Sequence, residues 1–302
     1  MPTISAPTRI QMHNILFATD FSPSAQTGLF HAVDLARRYG AVLHTVHVLP
    51  HMPFVESAQP DPEQVELSAH RQLPDFMSSV SLKDVEHKEL IEQGEAADVL
   101  LRLVGERTID LIVIGTGGRK GVGKLLLGSV AEQVFRNAEC PVLTVGTHAT
   151  RPGIDGKLQH ILFATDLGPQ SVHALPYAIS LAEEHRARLT FLYASPFPLS
   201  SPEFRPEEPK DVLARGRNRL RALIPKGTQL WHEPDYMVQF GSGAEIAEII
   251  VKIASQSVDM IVLGAKRKWP TTLTKHLGTG VAYKVVCEAP CPVFLVGTHA
   301  NR

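Results

Sequence analysis

Short apolar runs alternate with amphipathic segments along the whole chain. The first run, Ile15–Ala18, is followed by apolar residues that recur at steps of three and four: Ala25, Leu29, Val33 and Ala36. This spacing predicts a helix with one apolar face. Ser22 supplies a capping hydroxyl and Pro23 suits the first helical position, so the helix is expected over residues 22–39.

The same alternation continues through the first half. It predicts strands over Val42–Val48, Val85–Ile91, Leu111–Ile114 and Val142–Val145, and helices over Ala96–Val104 and Ser129–Ala138. Unbroken apolar runs such as LIVI are typical of strands covered on both faces, which indicates a parallel sheet with helices on either side. Two proline-rich stretches, 49–75 and 195–210, are expected to be irregular excursions at the carboxyl edge, where the strands end.

The second half of the chain repeats the first. ILFATD occurs at 15–20 and again at 161–166, and the segment CPVLTVGTHA at 140–149 returns as CPVFLVGTHA at 291–300. A repeat of this length indicates tandem domains, because solenoid repeats are far shorter. The polar, glycine-rich stretch 146–159 marks the seam, which predicts domains over 1–150 and 151–302.

Composition narrows the classes of function. Over 302 residues the formal net charge is -1, whereas nucleic-acid-binding domains usually carry a basic excess. No apolar run approaches the ~20 residues of a membrane helix, and the N-terminus lacks the apolar core of a signal peptide. The three cysteines have neither disulfide-framework nor zinc-site spacing. We therefore expect a cytoplasmic globular protein that binds neither nucleic acid nor membrane.

The stretch GTGGRKGVGKLLLGS at 115–129 is the strongest candidate for ligand binding, because it follows the apolar run Leu111–Ile114. The Walker pattern fails, since Leu125 stands where that motif needs a hydroxyl for magnesium. The dinucleotide fingerprint fails as well, since its third glycine would fall on Lys120.

A third template fits. Gly115, Gly118 and the pair Gly128–Ser129 have the spacing G-x2-G-x9-G-[ST], which resembles the ATP-binding motif of the universal stress protein family. The opening ILFATDFSPSA, the strand ending in His-Val, the GEAA helix start and the closing CPVLTV are also similar to that family. The resemblance covers essentially the whole chain in two copies. It implies two tandem, open, parallel five-stranded α/β sandwiches of the Rossmann-like, adenine nucleotide alpha hydrolase-like class.

The residues support the nucleotide that the resemblance implies. Glycines at 115 and 118 allow a turn to expose its amides, and a helix that starts at Gly128–Ser129 favours an anion. Ser129 could cap that helix or donate to a phosphate. Cations on the loop could balance phosphate charge or be a solvated loop tip. By resemblance, the site comprises Asp20, Val48, Gly115, Gly118, Arg119, Lys120, Gly128, Ser129 and Val130, with ATP and Mg²⁺ or Mn²⁺ as the ligand.

Two of these residues have plainer alternatives. Asp20 is placed by resemblance near the adenosine or a phosphate-bound divalent ion; the alternative is that it caps the first helix, and the two roles are compatible. Val48 is placed by resemblance against adenine, and otherwise would be a core residue.

The second half departs from the motif. Arg267 stands in place of the second glycine, the pair Gly278–Thr279 comes late, and Ala194 replaces Val48. Pairing the repeats backwards from Cys291 instead places Gly280 opposite Ser129. Arginine cannot easily take the backbone angles open to glycine. We expect a degenerate site that has lost ATP or holds a different anion, although Asp166 is retained.

No motif identifies catalytic residues, and histidine spacing does not favour a metal site. Three interpretations stay open: a nucleotide-dependent regulator in stress response, a slow ATPase or autophosphorylating enzyme, and an interaction scaffold with vestigial pockets. The resemblance also implies pairing of the two domains through their last strands, as a pseudo-dimer within one chain, with a homodimer of chains and an unidentified protein partner as further expectations.

Overall fold

The computed structural model describes residues 10–50, 61–117, 127–149, 157–195, 209–266 and 280–298. The described residues from 11 to 149 form one compact unit and those from 157 to 298 form another. We call these the first and second units. The boundary predicted at 150 and 151 falls in a segment that lies outside the described residues.

The first unit alternates strands and helices as the apolar pattern predicts. Its elements are β1 (Asn14–Thr19), α1 (Pro23–Tyr39), β2 (Val42–Leu49), α2 (Pro62–Met77), β3 (His87–Gln93), α3 (Ala96–Glu106), β4 (Leu111–Gly115), α4 (Ser129–Asn137) and β5 (Val142–Val145). The strands lie in the order β3-β2-β1-β4-β5, and every neighbouring pair is parallel.

The second unit repeats this arrangement. Its elements are β6 (His160–Thr165), α5 (Pro169–His173), α6 (Leu175–His185), β7 (Arg188–Ser195), α7 (Pro209–Arg221), β8 (Asp235–Phe240), α8 (Gly243–Ala254), β9 (Met260–Lys266), α9 (Val281–Glu288) and β10 (Val293–Thr298). The order is β8-β7-β6-β9-β10, again with parallel neighbours throughout. The predicted fold class, two tandem five-stranded parallel α/β sandwiches, is confirmed.

Burial explains why the central strands carry unbroken apolar runs. Leu111, Ile112 and Val113 of β4 are fully buried, as are Ile15–Phe17 of β1. Strands in the middle of a doubly covered sheet have no face towards water, so both sets of alternating side chains are apolar.

The prediction that residues 49–75 are irregular is wrong for the second part of that stretch, which forms α2. Asp61 accepts a hydrogen bond from the Glu63 amide (3.1 Å), and Pro62 occupies the first helical turn, where its missing N–H is tolerated. The proline that suggested a break therefore helps to start the helix. Ala69, Leu73 and Met77 recur at helical spacing and are buried.

The first helix of the second unit differs from its counterpart. Whereas α1 is continuous, the equivalent segment is divided into α5 and α6 at Ala174. Pro176 lies at the start of α6, where Phe30 lies inside α1. A proline in a helix interior removes a backbone donor and clashes with the preceding turn, so the helix ends and restarts there.

Gly115 allows α1 to approach the end of β4 closely. A Cβ atom at this position would lie 2.8 Å from both the Ala25 amide nitrogen and the Ser24 hydroxyl. The second unit has the same arrangement, in which a Cβ at Gly264 would meet the Gln170 carbonyl. In each unit, the glycine at this position of the fourth strand is therefore required by packing.

Asp34 of α1 is an acidic group in a buried position. It is 7% exposed, and the Arg38 Nε donates to both of its carboxylate oxygens at 3.1 Å. Burial raises the pKa of Asp34 to about 6, and the neighbouring Arg38 opposes this rise. The ion pair therefore does not fully offset the cost of removing the charge from water.

Gly115→Ala is expected to lower the free energy of unfolding by roughly 1–3 kcal/mol, because the added methyl group must displace the backbone of α1. Urea denaturation measures the change. Gly105→Ala is the matched control, since a Cβ at Gly105 meets no atom within 4 Å. That variant is expected to be neutral or up to about 1 kcal/mol more stable. Equal destabilisation by both would contradict the packing role of Gly115.

Asp34→Asn is expected to alter the pH dependence of stability. Because the pKa of Asp34 is higher folded than unfolded, its stabilising contribution is complete below about pH 4 and is lost as pH rises through about 6. The neutral variant avoids this loss. Its unfolding free energy relative to the parent should therefore increase by up to about 3 kcal/mol between pH 4 and pH 7. Parallel pH profiles from urea denaturation would contradict this account.

Candidate functional site

The reversal of strand order in the first unit lies between β1 and β4. From β1 the chain passes through α1 to β2 on one side, and it returns through α3 to β4 on the other side. In open α/β sheets, ligands bind at the carboxyl ends of the strands beside such a reversal. Asp20 directly follows β1 and Thr116 directly follows β4, so both lie at this point.

The strand register brings three of the candidate segments to one level. Ala18 pairs with Val46 of β2 and with Ile114 of β4. Counting two residues further, Val48, Asp20 and Thr116 form a row across the ends of β2, β1 and β4. Two steps of about 4.8 Å between strands give the row a length of roughly 10 Å.

Val48 points to the face of the sheet that carries α3 and α4. Its neighbour His47 packs towards Phe21 and towards α2 on the opposite face, and successive strand residues alternate between faces. Helix α3 packs on β2 and also contacts α4. The half-buried Val48 and the start of α4 therefore border the same side of the row.

A tight turn after β1 fixes the backbone at Asp20. The Asp20 carboxylate accepts a hydrogen bond from the Ser22 amide (3.0 Å), and Phe21 has a left-handed backbone with φ 63°. The capping alternative for Asp20 is not what the structure shows, because the cap of α1 is Ser22, whose hydroxyl accepts from the Ala25 amide (3.3 Å). Asp20 instead shapes the turn that leads into the helix.

Aromatic packing holds this turn in place. A left-handed backbone costs a non-glycine residue about 1–2 kcal/mol. The Phe21 ring lies 4.3 Å from the ring of His47 and 5.5 Å from that of Phe76, between ring centroids. His47 Nδ1 lies 2.8 Å from the Thr19 carbonyl, which can only accept, so Nδ1 carries the hydrogen. These contacts offset the backbone cost.

Hydrogen bonds close the base of the glycine-rich loop. The Gly128 amide donates to the Thr116 carbonyl at 3.2 Å, and the Thr116 amide donates to the Val145 carbonyl at 2.9 Å. The Ser24 hydroxyl of α1 donates to the Gly117 carbonyl at 2.9 Å. The two ends of the loop therefore meet beside the end of β4.

The start of α4 is open towards an anion. Gly128 is the N-cap residue and provides no side-chain cap, while the exposed Ser129 is the first helical residue. The amides of Ser129 and Val130 have no acceptor within the helix, as at any helix start. Glu132, the acidic residue of the first turn, pairs with Arg136 at 2.8 Å along the helix. Backbone donors and the helix dipole thus favour negative charge here.

The structure changes the roles expected for some residues of the glycine-rich motif. The expected exposed amide at Gly128 is already bonded to Thr116, so the open donors begin one residue later, at Ser129. Gly115 is required by the packing of α1, a role that the motif alone did not indicate. Gly118, Arg119 and Lys120 lie outside the described residues.

In the second unit, hydrogen bonds from neighbouring residues hold the aspartate that follows β6. The Asp166 carboxylate accepts from the Gly168 amide (2.8 Å) and from the Ser171 hydroxyl (2.6 Å). Ser171 is 5% exposed and also receives a hydrogen bond from the Thr165 hydroxyl (2.8 Å). The first unit has Ala25 in place of Ser171, so no hydroxyl is available at that position to bond to Asp20.

The start of α9 also differs from that of α4. The C-cap residues of the two helices, Ala138 and Ala289, have nearly the same extended backbone angles. Counting back from these residues, Gly280 occupies the position of Ser129, so this position carries no hydroxyl at the start of α9. Arg267 lies outside the described residues.

The cysteines are consistent with packing. Cys140 and Cys291 are buried at equivalent positions, and burial raises the pKa of the Cys291 thiol to about 12.

Across the described segments, no group of histidine, cysteine and acidic side chains could hold a metal ion. No described helix is long and apolar enough to cross a membrane.

Comparison with known proteins identifies the class to which this fold and site belong. The model of the universal stress protein family matches residues 12–146 and 157–297. The chain therefore belongs to the universal stress protein family and contains two copies of its domain in tandem.

Individual relatives agree with this assignment. A universal stress protein of Methanocaldococcus jannaschii is 32% identical over 137 residues, which cover 43% of this chain and 80% of the relative. A putative universal stress protein of Staphylococcus aureus is 32% identical over 145 residues, covering 46% and 86% of the two chains. A crystal structure of a universal stress protein from Archaeoglobus fulgidus superposes with a TM-score of 0.71 at 17% identity, over 97% of this chain and 98% of that one.

Proposed function

We propose that the first unit binds an adenine nucleotide, with ATP as the ligand, and that this binding regulates the protein in a stress response. The observation that carries the proposal is the closed loop base, where the Gly128 amide donates to the Thr116 carbonyl. This bond places the open start of α4 beside the row formed by Val48, Asp20 and Thr116. An anion site and a site for the nucleoside are therefore contiguous.

Each end of this surface suits one part of the ligand. Val48 offers an apolar contact to the adenine base, and Asp20 offers a carboxylate to a ribose hydroxyl. The amides of Ser129 and Val130, together with the Ser129 hydroxyl, are donors for phosphate oxygens. Gly118, Arg119 and Lys120 are assigned to the phosphates by the sequence motif alone.

Asp20 would contribute one ligand to a divalent cation held mainly by the phosphates of the nucleotide. Phosphate-bound Mg²⁺ or Mn²⁺ would neutralise part of the charge of the triphosphate, and Asp20 provides the hard oxygen donor that such ions prefer. Asp20 would then stand near the ion or the ribose, at the centre of the row. The backbone amides of α4 would bind the phosphate oxygens that the ion leaves free.

We propose that the second unit does not bind the nucleotide. Its Asp166 carboxylate is bonded to the Ser171 hydroxyl at 2.6 Å, and a ligand would have to compete with this bond. Gly280 in place of Ser129 removes one donor, and the sequence replaces the second motif glycine by Arg267. We therefore expect one nucleotide per chain.

Binding, rather than turnover, is what this geometry favours. The backbone amides that would hold the phosphate oxygens act neither as a general base nor as a nucleophile, so the role that we propose for them is binding. Regulation requires that the nucleotide bind one arrangement of the loop better than another. The cytoplasmic location, the pairing of domains or of chains, and a protein partner remain predictions from sequence and resemblance.

Asp20→Asn is expected to weaken ATP binding about tenfold or more, because it removes a charged hydrogen-bond partner of the ligand. The asparagine side-chain oxygen can still accept from the Ser22 amide, so the turn is preserved. Isothermal titration calorimetry with ATP and Mg²⁺ measures both the affinity and the number of sites.

Asp166→Asn is the matched control, since it changes the same residue in the same ILFATD segment of the other unit. We expect this variant to retain the affinity and the single site of the parent. Equal loss of binding in both variants, or two sites per chain in the parent, would contradict the assignment to the first unit.

A further inference from the structure

An open groove lies in the second unit, on the side opposite to the carboxyl ends of its strands. It is formed by the last turn of α6 and by the segment between α7 and β8, and it has a volume of about 780 Å³. Its principal side chains are Glu183, Glu184, Arg186, Gln229 and Trp231. Because α6 leads into β7 and the other segment leads into β8, the groove lies at the amino ends of these parallel strands.

Trp231 exposes an unusually large apolar surface in this groove. Its side chain is 59% exposed. The Arg186 guanidinium lies 4.2 Å from the centroid of the indole ring and stacks over one side of it. The remaining exposed surface of the ring is accessible to a further group. Indole is the aromatic side chain that attracts cations most strongly.

The position of Arg186 is unfavourable for its backbone. Arg186 ends α6 in a left-handed conformation with φ 53°. The equivalent residue of the first unit, which ends α1, is Gly40 with φ 64°. Glycine takes this conformation freely, whereas another residue incurs a cost of about 1–2 kcal/mol. The second unit therefore places an arginine against Trp231 in spite of the backbone preference.

The segment that carries Trp231 is also an elaboration of the second unit. It runs from residue 222 to residue 234, whereas the corresponding segment of the first unit, between α2 and β3, runs only from 78 to 86. Gly227 in this segment has φ 93°, which allows the chain to turn back towards α6. The added length thus forms one wall of the groove.

The charged side chains of the groove favour a cationic ligand over an anionic one. Glu183 and Glu184 contribute two carboxylates, against the single guanidinium of Arg186, so the lining has a net charge of about -1 at neutral pH. An anionic ligand would be repelled by these carboxylates. A cationic group would gain from both the carboxylates and the indole ring.

We propose that this groove is a docking site for a basic segment of a partner protein, with one arginine or lysine side chain inserted between Trp231 and the two glutamates. The open shape of the groove suits a side chain presented by a peptide. This proposal is independent of nucleotide binding, because the groove belongs to the second unit and contains none of the residues assigned to the nucleotide.

The protein contains two tryptophans, so Trp269→Phe leaves Trp231 as the single indole reporter. We would titrate the full chain with the peptide acetyl-Gly-Arg-Gly-Arg-Gly-amide and follow tryptophan fluorescence. A saturable change is expected, with an affinity that decreases as salt is raised. The same peptide with glutamate in place of arginine should produce no saturable change.

Charge-matched variants locate the binding. The double variant Glu183→Gln and Glu184→Gln is expected to weaken binding of the arginine peptide about tenfold. The fluorescence anisotropy of a labelled copy of the peptide measures the affinity. The double variant Glu63→Gln and Glu66→Gln on α2 removes the same net charge from an exposed helix, and it should leave the affinity unchanged. Circular dichroism verifies that each variant is folded. Absence of saturation up to millimolar peptide, equal binding of the acidic peptide, or equal loss in both double variants would overturn the proposal.

Discussion

The hydrogen bond between the Gly128 amide and the Thr116 carbonyl is the contact on which the candidate site depends. It returns the chain to the end of β4 after the glycine-rich loop, and so places the start of α4 at the reversal of strand order. Without this contact, the row of Val48, Asp20 and Thr116 would have no anion site beside it. The entropic cost of closing the segment between Thr116 and Gly128 is modest, because this cost rises only slowly with the length of a loop.

The two units show how one fold can carry different sites. Their strand order and parallel pairing are the same, and even the left-handed turn after the first strand is repeated, at Phe21 and at Leu167. The differences lie in side chains at the strand ends. Ser171 bonds to Asp166 where Ala25 cannot bond to Asp20, and Gly280 replaces Ser129. The proposed difference in ligand binding therefore rests on residues at the carboxyl ends of the strands, and the sheet serves as their common support.

Much of the fold could be predicted from periodicity, because doubly covered strands and amphipathic helices leave clear patterns. Helix α2 was missed because Pro62 and Pro74 suggested irregular chain, although a proline in the first turn is compatible with a helix. The motif identified the candidate site, but two features depend on tertiary contacts that no local pattern records. These are the packing of α1 on Gly115 and the bond that occupies the Gly128 amide. The sequence pattern likewise does not indicate that Trp231 is exposed, because the exposure of a single tryptophan cannot be inferred from residue spacing.

The central claim is that phosphate oxygens of the nucleotide meet the start of α4 in the first unit. The most direct measurement is amide chemical-shift mapping by NMR of the deuterated chain during titration with ATP and Mg²⁺. The account predicts saturable shifts at the amides of Ser129 and Val130, with no comparable shifts at Val281 and Ala282, which begin α9. Shifts confined to the second unit, or an unchanged first turn of α4 at saturating ATP, would contradict it.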